Sequence, residues 1–99
     1  MLKIKTEIQN PQSKTGNILI VDDMEGNLIL LDALLTEFGY SVVSAINGKD
    51  ALEKLHTQKC YDLIISDILM PVMDGFMLCK SVKKDKRLKN IPFVFYSAS

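Results

Sequence analysis

Four short runs constrain this chain more than any other feature: NILIV at 17–21, SVVSAI at 41–46, YDLIIS at 61–66 and IPFVFY at 91–96. Each is apolar or β-branched at its centre and lacks a regular polar alternation. A strand with one wet face alternates, whereas one buried on both faces reads as a nearly continuous apolar run, so these predict a parallel sheet covered by helices. The stretches between them have the helical period. Leu31, Leu34, Leu35 and Phe38 mark one stripe over 25–38, Ala51, Leu52 and Leu55 another over about 49–58, and Leu78, Cys79 and Val82 a third. Gly39 suits the left-handed residue that ends a helix, and Asn47-Gly48 punctuates the second strand. The pattern is β-α-β-α-β-α-β, which implies right-handed crossovers and an α/β fold. In such sheets a ligand site lies beyond the carboxyl ends of the strands.

Composition narrows the reading. Ninety-nine residues allow one domain, and 47% hydrophobic content argues against disorder along the whole chain. Twelve basic residues balance twelve acidic ones, so no basic stripe invites nucleic acid. No apolar run approaches the roughly 20 residues that cross a bilayer, and the opening MLKIKTEIQN is too polar for a secretory signal. A cytoplasmic location is expected, with no membrane partner. Cys60 and Cys79 read as reduced thiols, and His56, the sole histidine, cannot make a zinc site without a CxxC pair. Residues 1–16 read as an extension and linker. Leu2, Ile4 and Ile8 alternate with polar residues in a strand-like way before the polar stretch NPQSKTG.

The predicted strands deliver polar groups at one end: Asp22 and Asp23 after the first, Asp67 after the third, Ser97 after the fourth. A single aspartate in such a place is usually a turn or a helix cap. Three converging carboxylates repel one another and call for a shared proton or a cation. Oxygen ligands with no His or Cys among them select Mg²⁺ or Mn²⁺, and Mg²⁺ readily accepts phosphate oxygens.

The runs ILIVDD, LIISDILMPVMDG and IPFVFYSA together resemble the receiver (response-regulator) domain of two-component signalling over about residues 17–99. The resemblance implies a doubly wound, flavodoxin-like (CheY-like) parallel sheet with strand order 2-1-3-4, the family's fifth strand being missing. It implies Asp67 as phosphoacceptor, taking a phosphoryl group from a phosphohistidine, and Mg²⁺ as cofactor. Asp23, Asp67 and the backbone carbonyl of Leu69 would bind the ion directly, and Asp22 through a water. Ser97 would be the switch hydroxyl, with the backbone N–H groups of Leu69 and Ala98 as further donors. Asp74 and Gly75 would shape the loop without chemical roles. The implied partners are a sensor histidine kinase or phosphotransfer protein and a fused or separate output domain. The domain would catalyse its own phosphorylation and dephosphorylation without being a turnover enzyme.

The chain departs from the family pattern by stopping after the fourth strand. The phosphate-binding lysine and switch aromatic of the family's fifth strand have no counterpart, and Lys80, Lys83 and Lys84 belong to the third helix or its exit. Either the chain ends here or it is a piece of a longer protein. The fourth strand is expected to be an apolar edge, covered by another copy of the chain, by strand exchange or by the N-terminal segment. The alternative function is a receiver-like scaffold or dimerisation module without efficient phosphorylation. An aspartyl-phosphate hydrolase would need an acid/base aspartate where Leu69 stands. A dinucleotide fold would need a Gly-rich turn in place of DDMEGN.

Overall fold

The computed structural model describes residues 16–57 and 59–97. Four strands, β1 (Asn17–Val21), β2 (Ser41–Ala45), β3 (Leu63–Asp67) and β4 (Phe93–Tyr96), alternate with three helices, α1 (Glu25–Glu37), α2 (Gly48–Leu55) and α3 (Gly75–Lys84). The strands form one parallel sheet in the order β2-β1-β3-β4. This is the architecture the apolar runs imply. The proposed extension lies outside the described residues apart from Gly16.

The runs are continuous because consecutive residues feed two different cores. Ile18 and Ile20 join Leu63 and Ile65 beneath Leu28 and Leu35 of α1. Leu19 and Val21 join Ile64 on the other face, under Ala51 and Leu55 of α2 and Leu78 and Val82 of α3. All four apolar side chains from Ile18 to Val21 are essentially inaccessible.

Three expectations shift. β3 and β4 begin two residues later than the apolar runs do. Tyr61 still packs into the core, and the Asp62 carboxylate accepts the Asn17 N–H at 2.7 Å. Pro92 carries no N–H, yet its carbonyl accepts the Ile64 N–H at 3.0 Å. The helix over 25–38 buries Leu28 and Leu35 rather than the expected Leu34 and Phe38, which are 42% and 68% exposed. Leu28, Ile29, Leu30, Leu31, Leu34 and Leu35 surround much of the helix with apolar residues, so several stripes satisfy the spacing equally. Gly39 ends α1 with φ +94°, its N–H bonding the Thr36 carbonyl while Tyr40 N–H bonds that of Leu35, a Schellman closure.

The sheet edges differ. On β2, the Lys54 Nζ caps the Ser44 carbonyl at 2.6 Å. On β4, the described residues supply no outer neighbour. Phe93 and Phe95 lie half-buried, with Phe95 against Phe76 of α3 at 5.0 Å between ring centroids, and Val94 is exposed on the other face.

Candidate functional site

Asp22 directly follows β1, Asp67 ends β3, and Ser97 directly follows β4, so the parallel register brings them to one end of the sheet. The carboxylates of Asp22, Asp23 and Asp67 each place an oxygen within 4.8 Å of the others. Asp23 is exposed, Asp67 is 9% exposed, and Asp22 is wholly buried.

Asp22 is held by three donors. The Met24 N–H donates to Oδ1 at 2.9 Å, the Asn27 Nδ2 to Oδ2 at 3.0 Å, and the Tyr96 hydroxyl also to Oδ2. The first bond is an Asx turn. It feeds the chain into α1, whose N-cap is Met24 rather than either aspartate. The turn-forming role and membership of the acidic cluster therefore coexist in one residue.

Asp67 is placed by backbone packing. A Cβ at Gly75 would overlap the Asp67 carbonyl oxygen and lie 3.1 Å from the Ile68 Cα, so only glycine lets α3 start this close to the end of β3. The Gly75 N–H also bonds the Ile68 carbonyl at 2.8 Å, and Asp74 caps α3 by accepting the Met77 N–H at 2.9 Å. The intervening loop forces Val72 into the left-handed region at φ 72°.

Burial, followed by the charge of Asp22, raises the Asp67 carboxyl above its ordinary pKa. The backbone N–H groups of Ile68 and Leu69 pull it down, and the charge of Asp23 adds a smaller upward push. Burial, then the hydrogen bond to Asp22, drives the Tyr96 phenol well above its ordinary value. The charges of all three aspartates act in the same direction. Asp67 and Tyr96 thus both register the concentrated negative charge around them.

Leu69 lies in the loop two residues beyond Asp67 with its side chain 74% exposed. Ser97 is exposed beside the cluster, and Ala98 lies outside the described residues. Lys83 of α3 is engaged elsewhere: its Nζ donates to the carbonyls of Lys89 and Ile91 at 3.1 and 3.2 Å. Asn27 and Tyr96 escaped the sequence reading. Strand alternation does put Tyr96 on the α1 face, opposite Phe93 and Phe95, and that was the one available signal.

The three carboxylates fit a hard divalent ion. Ligands of one octahedral Mg²⁺ at ~2.1 Å lie roughly 3–4 Å apart, and the three carboxylates each offer an oxygen within 4.8 Å of the others. Buried like charges with only neutral donors around them are the donor set that such an ion neutralises.

The family model for the response regulator receiver domain matches residues 18–99. The response regulator PleD of Caulobacter vibrioides is 40% identical over 84 residues, covering 85% of this chain but 18% of its own length. The chain therefore spans under a fifth of that relative. Among solved structures, the receiver domain of a signal transduction histidine kinase from Syntrophus aciditrophicus superimposes with a TM-score of 0.78 at 41% identity, covering 82% of this chain and 61% of that one. The receiver domain of a sensor histidine kinase from Pseudomonas aeruginosa PAO1, which has a magnesium ion coordinated in its active-site cleft, gives 0.79 at 26% identity, covering 86% and 69%.

Proposed function

Because this chain belongs to the response regulator receiver family of two-component signalling, we propose that Asp67 is its phosphoacceptor and that Asp22, Asp23 and Asp67, with the backbone carbonyl of Leu69, form its Mg²⁺ site. The observation that carries this reading is the convergence of three aspartates at the carboxyl end of the sheet, within 4.8 Å of one another and with only Asp23 exposed.

In the reaction, an Asp67 carboxylate oxygen attacks the phosphorus of a phosphohistidine. The O–P bond forms as the N–P bond breaks, and the imidazole leaves with the electron pair and takes up a proton. Phosphoryl transfer depends on positioning and on stabilising charge. When bound, Mg²⁺ supplies the positive charge that offsets the phosphoryl oxygens. The protein supplies the rest. Gly75 fixes the Asp67 backbone by close approach, the low exposure of Asp67 strengthens the electrostatics around it, and the Ser97 hydroxyl and the Leu69 and Ala98 N–H groups would donate to phosphoryl oxygens.

A sensor kinase or phosphotransfer protein as donor, an output domain, a cytoplasmic location and a boundary near residue 17 complete the reading. No described helix is long and apolar enough to cross a membrane. The outer edge of β4, which no described residue pairs with, supports a second proposal, that it pairs with another copy, which size-exclusion chromatography tests. The main experiment is incubation with acetyl phosphate and Mg²⁺ followed by intact mass. Uptake of one phosphoryl group, lost in Asp67→Asn, is expected. No uptake at any donor concentration would leave the scaffold function instead.

A further inference from the structure

We infer that Tyr96 is a positioning residue for the cation site, acting through Asp22; the inference rests on the Mg²⁺ assignment above. Tyr96 pairs with Asp67 in the ladder, so its backbone lies two strand spacings, about 10 Å, from β1. Its side chain nevertheless crosses β3 on the α1 face, and the hydroxyl donates to Asp22 Oδ2. The ring is part of the α1-side packing, and its hydroxyl is turned towards the carboxylates.

Lone-pair accounting gives the consequence. An ionised carboxylate offers about four acceptor positions. On Asp22, Met24 N–H takes one at Oδ1, while Asn27 and Tyr96 take both at Oδ2. One position remains, on Oδ1, for an ion or for water bound to it. Donors on both oxygens also fix the rotation of the carboxylate plane. Without the Tyr96 hydroxyl, a second lone pair of a wholly buried carboxylate is left unsatisfied, and the group can satisfy it only by rotating, taking up a proton or admitting water.

Groups that orient a metal ligand contribute about 10- to 100-fold to metal affinity. Tyr96→Phe, which removes one oxygen and keeps the ring, is expected to weaken Mg²⁺ about tenfold. Calorimetric titration of wild type, Tyr96→Phe, Asp22→Asn and the double variant is the test. Because Tyr96 acts through Asp22, its substitution in the Asp22→Asn background should cost less than about twofold. A residue that merely filled space would weaken binding equally in both backgrounds. A second measurement needs no variant: the Tyr96 ring ¹³Cζ resonance of the wild type should move on adding Mg²⁺. Wild-type binding with unchanged or tighter affinity in Tyr96→Phe, an equal loss in both backgrounds, or an unmoved resonance in protein that binds Mg²⁺ overturns the role of Tyr96 alone. Failure of the wild type to bind Mg²⁺ overturns the cation assignment and this inference together.

Discussion

Asp67→Asn should make the cation-free protein more stable although it removes the proposed acceptor. Carboxylate oxygens of Asp22, Asp23 and Asp67 lie within 4.8 Å of one another. At that separation two unit charges repel by ~0.9 kcal/mol in water and ~3.5 kcal/mol at an effective dielectric of about 20. Asp23 is exposed, which puts its repulsion with Asp67 near the lower figure. Asp22 is buried, which moves its repulsion with Asp67 towards the upper one. Asparagine keeps an oxygen for the Ile68 and Leu69 N–H groups, so those bonds need not be lost. The net gain expected is about 2 kcal/mol, or about 8–16 °C in Tm for a domain of this size. The pH dependence has a definite sign. Burial and the neighbouring charges raise the folded carboxyl above its ordinary 3.8. The folded state therefore holds its proton longer, and stability from this group is full below the unfolded value and falls as pH rises through the folded one. At neutral pH the wild type bears the whole cost. Urea unfolding of both proteins in EDTA, from pH 7 down to about pH 3.5, should show the advantage of Asp67→Asn shrinking with acid. Saturating Mg²⁺ should also shrink or reverse it, since the ion binds the folded wild type more tightly. No advantage in EDTA, or one that persists unchanged in Mg²⁺, would refute the repulsion argument.

Gly75→Ala should destabilise by about 1–3 kcal/mol, because the added methyl meets backbone atoms of Asp67 and Ile68 that cannot move aside cheaply; denaturant midpoints check this, and a stabilised variant would contradict it. Val72→Gly should stabilise by up to about 1 kcal/mol, since Val72 holds φ 72° at 82% exposure and glycine relieves the left-handed strain at a smaller entropic cost; thermal unfolding measures it. The Asp85 carboxyl is held below its ordinary 3.8, first by the hydrogen bond from His56 at 2.8 Å and then by the Arg87 N–H. Its contribution is present above the unfolded value and is lost as pH falls through the lower folded one. The stability difference between wild type and His56→Ala should therefore narrow below about pH 4, and a difference constant with pH would rule this out.

The sheet and the acidic cluster were legible for different reasons from those that hid the rest. Strands buried on both faces leave apolar runs, and the carboxyl-end rule needs only to know where each run stops. Asp22, Asp23 and Asp67 follow from that rule alone. Periodicity failed on α1 because apolar residues surround much of the helix, so the sheet and not the spacing selects Leu28 and Leu35. The side-chain donors to Asp22 were hidden for another reason. They stand 5 and 74 residues away in sequence, one on a helix and one on a strand, and no spacing rule relates them to the carboxylate they satisfy. The bend at Val72 was hidden too, because a β-branched residue carries no turn signal for φ > 0.

The structure handles its two buried carboxylates by different means, and the difference suits the roles proposed for them. Asp22 is surrounded by donors: a backbone N–H, an amide and a phenol. An oxygen fixed in this way is a poor nucleophile, because its lone pairs are already engaged. Asp67 is instead located through its backbone, by the glycine pressed against its carbonyl. That arrangement sets the carboxylate's position without consuming as many of its lone pairs, which suits the nucleophile proposed for it. The cost appears as raised proton affinity at Asp67 and strain at Val72 in the loop above it. Among the described residues, the ion pairs are Lys54–Asp50 and His56–Asp85, and neither involves the cluster. Neutral donors orient its negative charge but do not cancel it. A phosphoryl group on Asp67 would add to that charge, so a cation is needed more after transfer than before it. Ion binding and phosphorylation should therefore reinforce each other at this site.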